Sequence, residues 1–118
     1  MNKDIKTRDD LKLLVDTFYE KVNKDDVIKH FFFHVDWGKH LPLMYDFWDN
    51  TIFYSGAYTG NPLNAHRKLS ESFPLKGEHF KRWEQLFFTT VDELFAGTNA
   101  EVIKQRAASI GTVMQIKV

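Results

Sequence analysis

The chain has no cysteine among its 118 residues. Disulfide bonds, thiolate catalysis, clusters and zinc sites held by cysteine, and cofactors attached through cysteine are therefore excluded. Any metal must be held by histidine or carboxylate side chains, or arrive inside a cofactor.

A net charge of either sign is also absent, because 16 Lys and Arg balance 16 Asp and Glu. Nothing in this balance indicates nucleic acid or an anionic membrane surface as a partner. No apolar run approaches the length that spans a bilayer, and the N-terminal residues MNKDIKTRDD are mostly charged. We therefore expect a cytoplasmic protein without signal peptide or anchor, with a single domain over residues 1–118.

Aromatic residues are abundant, with 11 Phe, 4 Tyr and 3 Trp, which indicates a core or pocket built from flat, bulky groups. From Arg8 to Asn23, apolar residues recur every three or four positions. This spacing predicts a helix capped by Thr7 or Asp9. Tyr19 lies on the inward stripe of that helix, so its hydroxyl needs a partner. A ligand and an ordinary backbone acceptor are both open as that partner.

The segment from Asp36 to Tyr54 has helical periodicity but an awkward beginning. Pro42 is comfortable only in a first helical turn, so the helix should begin near residues 39–41. His40 would then lie one turn before Met44 on the same face. A solvent-facing position in the first helical turn is the alternative for His40.

Another short helix is predicted from Pro62 to about Ser70, with Asn61 as its N-cap and proline at its first position. Leu63, His66 and Leu69 share one face of it, so the imidazole points toward the core. A buried imidazole needs a hydrogen-bonding group or a metal as its partner. An ordinary core histidine and a metal ligand both satisfy this requirement.

The remaining segments are also helical in pattern. Residues 26–35 predict one or two helical turns that lead into a corner of three Phe. Residues 78–95 form the clearest amphipathic helix, with Trp83 on its inward stripe. Asn99 is expected to cap a last helix, which should fray after Gly111. No segment alternates with period two for long enough to be a strand, so the fold class is all-α.

Three inward-facing polar residues therefore lie on three different helices of an aromatic-rich chain: Tyr19, His66 and Trp83. Such a set suits a planar, apolar, iron-containing cofactor, which needs one imidazole as axial ligand and an apolar slot. The tyrosine and the tryptophan would supply hydrogen-bond donors.

Four local patterns then occur in order over nearly the whole chain: Phe18-Tyr19; His40-Leu41-x-x-Met44-x-x-Phe47-Trp48; Tyr58-x-Gly60-x-Pro62-x-x-x-His66; and Phe80-x-x-Trp83-x-x-Leu86-Phe87. In this combination the sequence resembles the truncated haemoglobins, globins with a two-over-two helical sandwich, and group III in particular. The Gly-Gly pairs typical of the other two groups are missing, as expected for group III.

The resemblance implies haem b as cofactor, with His66 as the proximal iron ligand. It implies that Tyr19 and Trp83 line the distal pocket, and that His40 is a distal histidine able to swing between pocket and solvent. The other haem contacts implied are Phe32 at the haem edge, Met44 and Phe47 on the distal helix, and Tyr58 and Arg67 near the propionates.

The function implied is binding of O₂ and other diatomic gases, such as NO and CO, at a pentacoordinate or distally gated iron. Nitric oxide dioxygenase or peroxidase-like activity would need a separate reductase, because the chain has no GxGxxG motif. We expect a monomer. A carrier or sensor without turnover, and a haem-free helical interaction protein, are the alternatives. A zinc hydrolase is disfavoured because there is no HExxH, and His30 and His34 are interpreted as surface residues.

Overall fold

The computed structural model describes residues 2–56 and 77–117. In these ranges the chain forms four α-helices and one short 3₁₀ helix, without strands. The elements are α1 (Arg8–Lys24), the 3₁₀ helix (Lys29–Phe32), α2 (Trp37–Phe53), α3 (Gly77–Leu94) and α4 (Thr98–Lys117). The predicted short helix from Pro62 to Ser70 lies outside the described residues.

Helix α1 begins where the sequence predicts, and Thr7 is its N-cap. The side-chain oxygen of Thr7 accepts a hydrogen bond from the backbone N–H of Asp10, and the Asp10 carboxylate accepts one from the backbone N–H of Thr7. This reciprocal capping box satisfies two N–H groups that a helix start otherwise leaves unpaired. The buried stripe of α1 is the predicted one: Leu11, Leu14, Val15, Phe18, Tyr19 and Val22.

Helix α2 begins earlier than predicted, at Trp37 instead of residues 39–41. The carbonyl oxygen of Asp36 accepts hydrogen bonds from the backbone N–H groups of both Lys39 and His40, which closes the first turn ahead of the proline. Pro42 therefore lies inside the helix. It removes the hydrogen bond to the carbonyl of Gly38, but both residues are exposed, so water can replace that bond.

Helix α2 ends because the backbone of Tyr54 turns left-handed, with φ of 56°. The side-chain oxygen of Asn50 accepts a hydrogen bond from the backbone N–H of Gly56 at 2.8 Å, and Gly56 itself has φ of 75°. The predicted stop at Ser55-Gly56 is thus correct to within one residue.

Helix α4 is capped from a distant part of the chain and not by Asn99, so that prediction was wrong. The Asp4 carboxylate accepts hydrogen bonds from the backbone N–H groups of Asn99 and Ala100, each at 2.9 Å. The Asn99 side chain instead donates to the carbonyl oxygen of Ile5. A carboxylate at a helix N-terminus satisfies unpaired N–H groups and faces the positive end of the helix dipole.

Gly97 makes room for this cap. Its φ of 143° is strained for any residue with a Cβ atom, and an added Cβ would lie 2.5 Å from Cγ of Asp4. Beyond the cap, α4 stays helical as far as Lys117, so the predicted fraying after Gly111 was also wrong.

The core is formed by α1, α2, α3 and α4, and aromatic rings make the contact of α1 with α2 and α3. Phe18 of α1 meets Phe87 of α3 edge-on, with ring centroids 5.1 Å apart. Trp48 of α2 stacks on Phe87, with ring centroids 5.2 Å apart. These three rings fix the mutual positions of the helices that carry Tyr19, His40 and Trp83.

A partly buried ion pair joins the residue after α1 to α3. Asp25 is 8% exposed, and the guanidinium of Arg82 donates to its Oδ2 at 2.7 and 2.6 Å. Burial favours the neutral carboxyl, but the hydrogen bonds from Arg82 and from the backbone N–H of Val27 outweigh it and lower the pKa of Asp25.

Among the described residues, no helix is long and apolar enough to cross a bilayer.

Candidate functional site

Tyr19 lies in the C-terminal half of α1, at the centre of a cluster of aromatic rings. The residue is 9% exposed, and its ring lies within 6.0 Å, centroid to centroid, of four others. The helical period that the sequence shows accounts for this position, since residue 19 continues the stripe of Leu11 and Val15. The four neighbouring rings are Phe18, Phe32, Trp37 and His40.

His40 lies beside Tyr19, with its Nε2 atom 3.2 Å from the Tyr19 hydroxyl oxygen. The early start of α2 produces this contact, because it places His40 at the fourth helical position and on the same face as Trp37. The rings of Trp37 and His40 meet edge-on, with centroids 5.5 Å apart. In this structure the half-buried imidazole is therefore next to the predicted distal tyrosine.

The Tyr19 hydroxyl keeps its proton. Burial raises the pKa of Tyr19 well above its ordinary value, because the phenolate would lose its solvation. A neutral phenol has one hydrogen to donate and an oxygen that accepts. If Nε2 of His40 carries the imidazole proton, it donates to the Tyr19 oxygen, and the phenolic hydrogen is available to a ligand. In the other tautomer, Tyr19 donates to Nε2.

The ring of Phe18 contacts both Trp83 and Tyr19. The Trp83 ring meets Phe18 edge-on at 5.9 Å and stacks on Phe87 at 5.8 Å with an interplanar angle of 9°. Phe18 thus contacts both predicted donors, Tyr19 and Trp83. Because Trp83 is only half-buried, part of its indole faces away from this core.

The other predicted contacts within the described residues are apolar and half-buried. The ring centroid of Phe32 lies 6.0 Å from that of Tyr19, so Phe32 belongs to the same aromatic cluster. Met44 and Phe47 pack against the core from α2 and keep part of their surface exposed. Trp37 was missed by the sequence interpretation. A predicted helix start at Trp37 would have placed this residue one turn before His40.

Three predicted residues, His66, Tyr58 and Arg67, lie outside the described residues, so their predicted roles remain predictions. Within residues 2–56 and 77–117, no group of three or more His, Asp or Glu side chains is arranged to hold a metal ion. His34 is exposed, as predicted for a surface residue, whereas His30 is half-buried, with its ring 4.1 Å from that of Phe31.

The chemistry of this site fits a haem group. Tyr19 and His40 form a hydrogen-bonded polar pair surrounded by aromatic rings. Partly exposed apolar side chains lie nearby on α2 and α3. A macrocycle needs such an apolar contact surface, and a diatomic ligand needs a small number of directed donors.

Comparison with known proteins agrees with a haem-binding site. No family model matches the chain. The group 1 truncated haemoglobin of Synechocystis sp. is 38% identical over 104 residues, which cover 84% of this chain and 79% of the relative. The group 3 truncated haemoglobin of Campylobacter jejuni is 31% identical over 108 residues, which cover 86% of this chain and 83% of the relative.

The crystal structure of the group III truncated haemoglobin from Campylobacter jejuni superimposes with a TM-score of 0.86 at 28% identity. The match covers 99% of this chain and 94% of that one. The chain therefore belongs to the truncated haemoglobin family, and the predicted family and truncated-globin fold are confirmed. Membership implies a globin with a haem cofactor and a gas ligand.

Proposed function

We propose that this chain binds haem b through His66 and retains O₂ beside Tyr19 for reaction, most directly for the oxidation of nitric oxide to nitrate. The observation that carries the proposal is the contact between the Tyr19 hydroxyl and His40 Nε2 at 3.2 Å, inside a cluster of aromatic rings. Packing alone does not require a hydroxyl at a buried position, because a buried polar group costs free energy unless it is paired.

The haem would supply an iron that binds a diatomic gas and shifts electron density onto it. Tyr19 would donate its phenolic hydrogen to the outer end of the gas molecule, and His40 would hold the phenol by donating to its oxygen. Trp83 would be a second donor through its indole N–H. His66 would be the proximal ligand, while Phe32, Met44 and Phe47 would contact the macrocycle.

The size of the donor effect favours retention over transport. A hydrogen bond to a charged group contributes on the order of 1.5–3 kcal/mol, and about 1.4 kcal/mol corresponds to a factor of ten. One such donor would slow gas release about ten- to a hundredfold. A globin that releases O₂ so slowly serves better as a holder of O₂ for reaction than as a carrier.

Turnover would require electrons from another protein. The six glycines of the chain form no GxGxxG motif, so no dinucleotide-binding fingerprint supplies a nicotinamide or flavin site. We propose a separate reductase as the partner, with the globin acting as a monomer in the cytoplasm. Peroxidase-like reduction of a hydroperoxide is the second reaction that the same donors support, because they can polarise a bound O–O group.

Stopped-flow mixing of the oxygenated protein with nitric oxide tests this function. We expect the oxygenated spectrum to disappear at a rate that rises with nitric oxide concentration, with one nitrate formed per ferric haem. Nitrate analysis on the same samples provides the stoichiometry.

A carrier or sensor would behave differently in that experiment. Nitric oxide would then enter only after O₂ leaves, so the rate would level off at the O₂ dissociation rate and no nitrate would form. That outcome would overturn the proposed reaction while leaving gas binding intact.

A further inference from the structure

We propose that Trp37 is an electron relay, through which an external donor reduces Tyr19 after a hydroperoxide has oxidised the haem site. The inference rests on the proposed function, because it needs a haem beside Tyr19. It adds a route for electrons from the protein surface to the pocket, and it assigns Trp37 a role that the family resemblance did not.

The geometry that supports the relay is a direct ring contact between a buried and a half-buried oxidisable residue. Tyr19 is 9% exposed, and its ring centroid lies 5.1 Å from that of Trp37 at an interplanar angle of 55°. Trp37 is half-buried at the first position of α2, so it reaches both Tyr19 and solvent. Electron transfer between rings in contact is fast compared with transfer across a gap.

The proton that tyrosine must lose has an acceptor in place. A phenol that gives up an electron becomes strongly acidic, so its oxidation is easy only where a base takes the proton. With a gas ligand bound, His40 Nε2 donates to the Tyr19 oxygen, as proposed above. The oxidation of Tyr19 uses the other tautomer, protonated at Nδ1, in which Nε2 accepts the proton from the Tyr19 hydroxyl across 3.2 Å. Trp37 contacts the same imidazole at 5.5 Å, so the three rings form one unit.

The electrons and protons balance. One electron passes from Tyr19 to the oxidised haem site while the phenolic proton moves to His40, which leaves a neutral tyrosyl radical and an imidazolium. Trp37 then gives one electron to Tyr19, the proton returns from His40, and the oxidised indole releases its N–H proton to solvent. An external one-electron donor and a proton from water restore Trp37. Two such cycles, with two protons from solvent, reduce one hydroperoxide to an alcohol and water.

Other residues are poorer relays. Trp48 is 4% exposed and stacks on Phe87. The phenyl ring of Phe87 cannot carry the electron, because it is not oxidised at accessible potentials. Tyr54 is 82% exposed and is not one of the four rings that surround Tyr19. Cysteine, which would intercept oxidising equivalents first, is absent from the sequence.

The test treats the haem-loaded protein with one equivalent of hydrogen peroxide in the presence of a nitrone spin trap, without an external donor, and maps the trapped radical by peptide mass spectrometry. We expect the adduct on Trp37 in the wild-type protein. In Tyr19→Phe the Trp37 adduct should fall to the level found on Tyr54, which reports radicals from bulk solvent. Trp48→Phe is the matched control and should leave the Trp37 adduct unchanged.

Trp37→Phe is the second variant, and in it we expect the adduct to move to Tyr19. An adduct on Trp37 that persists at full yield in Tyr19→Phe, or a wild-type protein with a normal Soret band and no Trp37 adduct, would overturn the relay alone. A wild-type protein that takes up no haem would instead overturn the proposed function.

Discussion

Gas retention by this protein depends on Tyr19 and on the group that its hydroxyl faces. The hydroxyl is buried, holds its proton and lies beside His40. Sequence periodicity was sufficient to bury Tyr19, because a helical stripe fixes which side chains point inward. Periodicity could not place His40, since its position depends on where α2 begins.

The Tyr19→Phe variant removes the hydroxyl and keeps the ring packing. We expect O₂ to dissociate at least about tenfold faster, because one charge-assisted hydrogen bond is lost. Flash photolysis or stopped-flow displacement of O₂ by CO measures the rate. Tyr54→Phe is the matched control, because that tyrosine is 82% exposed and should leave the rate unchanged. An unaltered dissociation rate in Tyr19→Phe would exclude Tyr19 as the donor.

At the scale of the elements, helix starts were predicted well where the capping group is local and poorly where it is distant. Thr7 caps α1 from the adjoining residue, so the sequence shows it. The cap of α4 is Asp4, more than ninety residues earlier in the chain. No local pattern reveals such a partner, whereas Asn99 has the residue type and position of a local N-cap. The start of α2 was missed because a proline inside a helix is tolerated where water replaces its missing bond.

The distant cap of α4 makes stability depend on pH in a defined direction. Burial opposes the charged form of Asp4, but hydrogen bonds from the N–H groups of Asn99, Ala100 and Ile5 outweigh it and lower the pKa of this carboxyl below its ordinary value. A lowered pKa in the folded state means that the carboxylate stabilises the fold above the unfolded-state pKa. This contribution is lost as the pH falls through the folded-state pKa.

The Asp4→Ala variant should therefore lose about 1–2 kcal/mol of unfolding free energy at about pH 7. The difference from wild type should shrink below about pH 4. Urea unfolding followed by circular dichroism over this pH range measures both effects. Asp26→Ala, which removes a 91% exposed carboxylate, is the control and should cost little. A difference that does not change with pH would show that the Asp4 carboxylate is not the cap.

At the scale of the whole molecule, the fold class followed from the sequence because each helix carries its own apolar stripe. Contacts among three rings join α1, α2 and α3: those of Phe18, Phe87 and Trp48. The family was recognised from four short patterns, and relatives over more than four-fifths of the chain confirm it. The contact of Trp37 with Tyr19 could not be predicted, because it depends on the mutual placement of two helices.

An absorption spectrum of the wild-type and His66→Ala proteins after titration with haem tests whether His66 binds the iron of a haem group in this chain. We expect a Soret band with one haem per wild-type chain, the same band in the control His34→Ala, and no stoichiometric binding in His66→Ala. A His66→Ala protein that binds haem with unchanged stoichiometry and spectrum would contradict this role of His66.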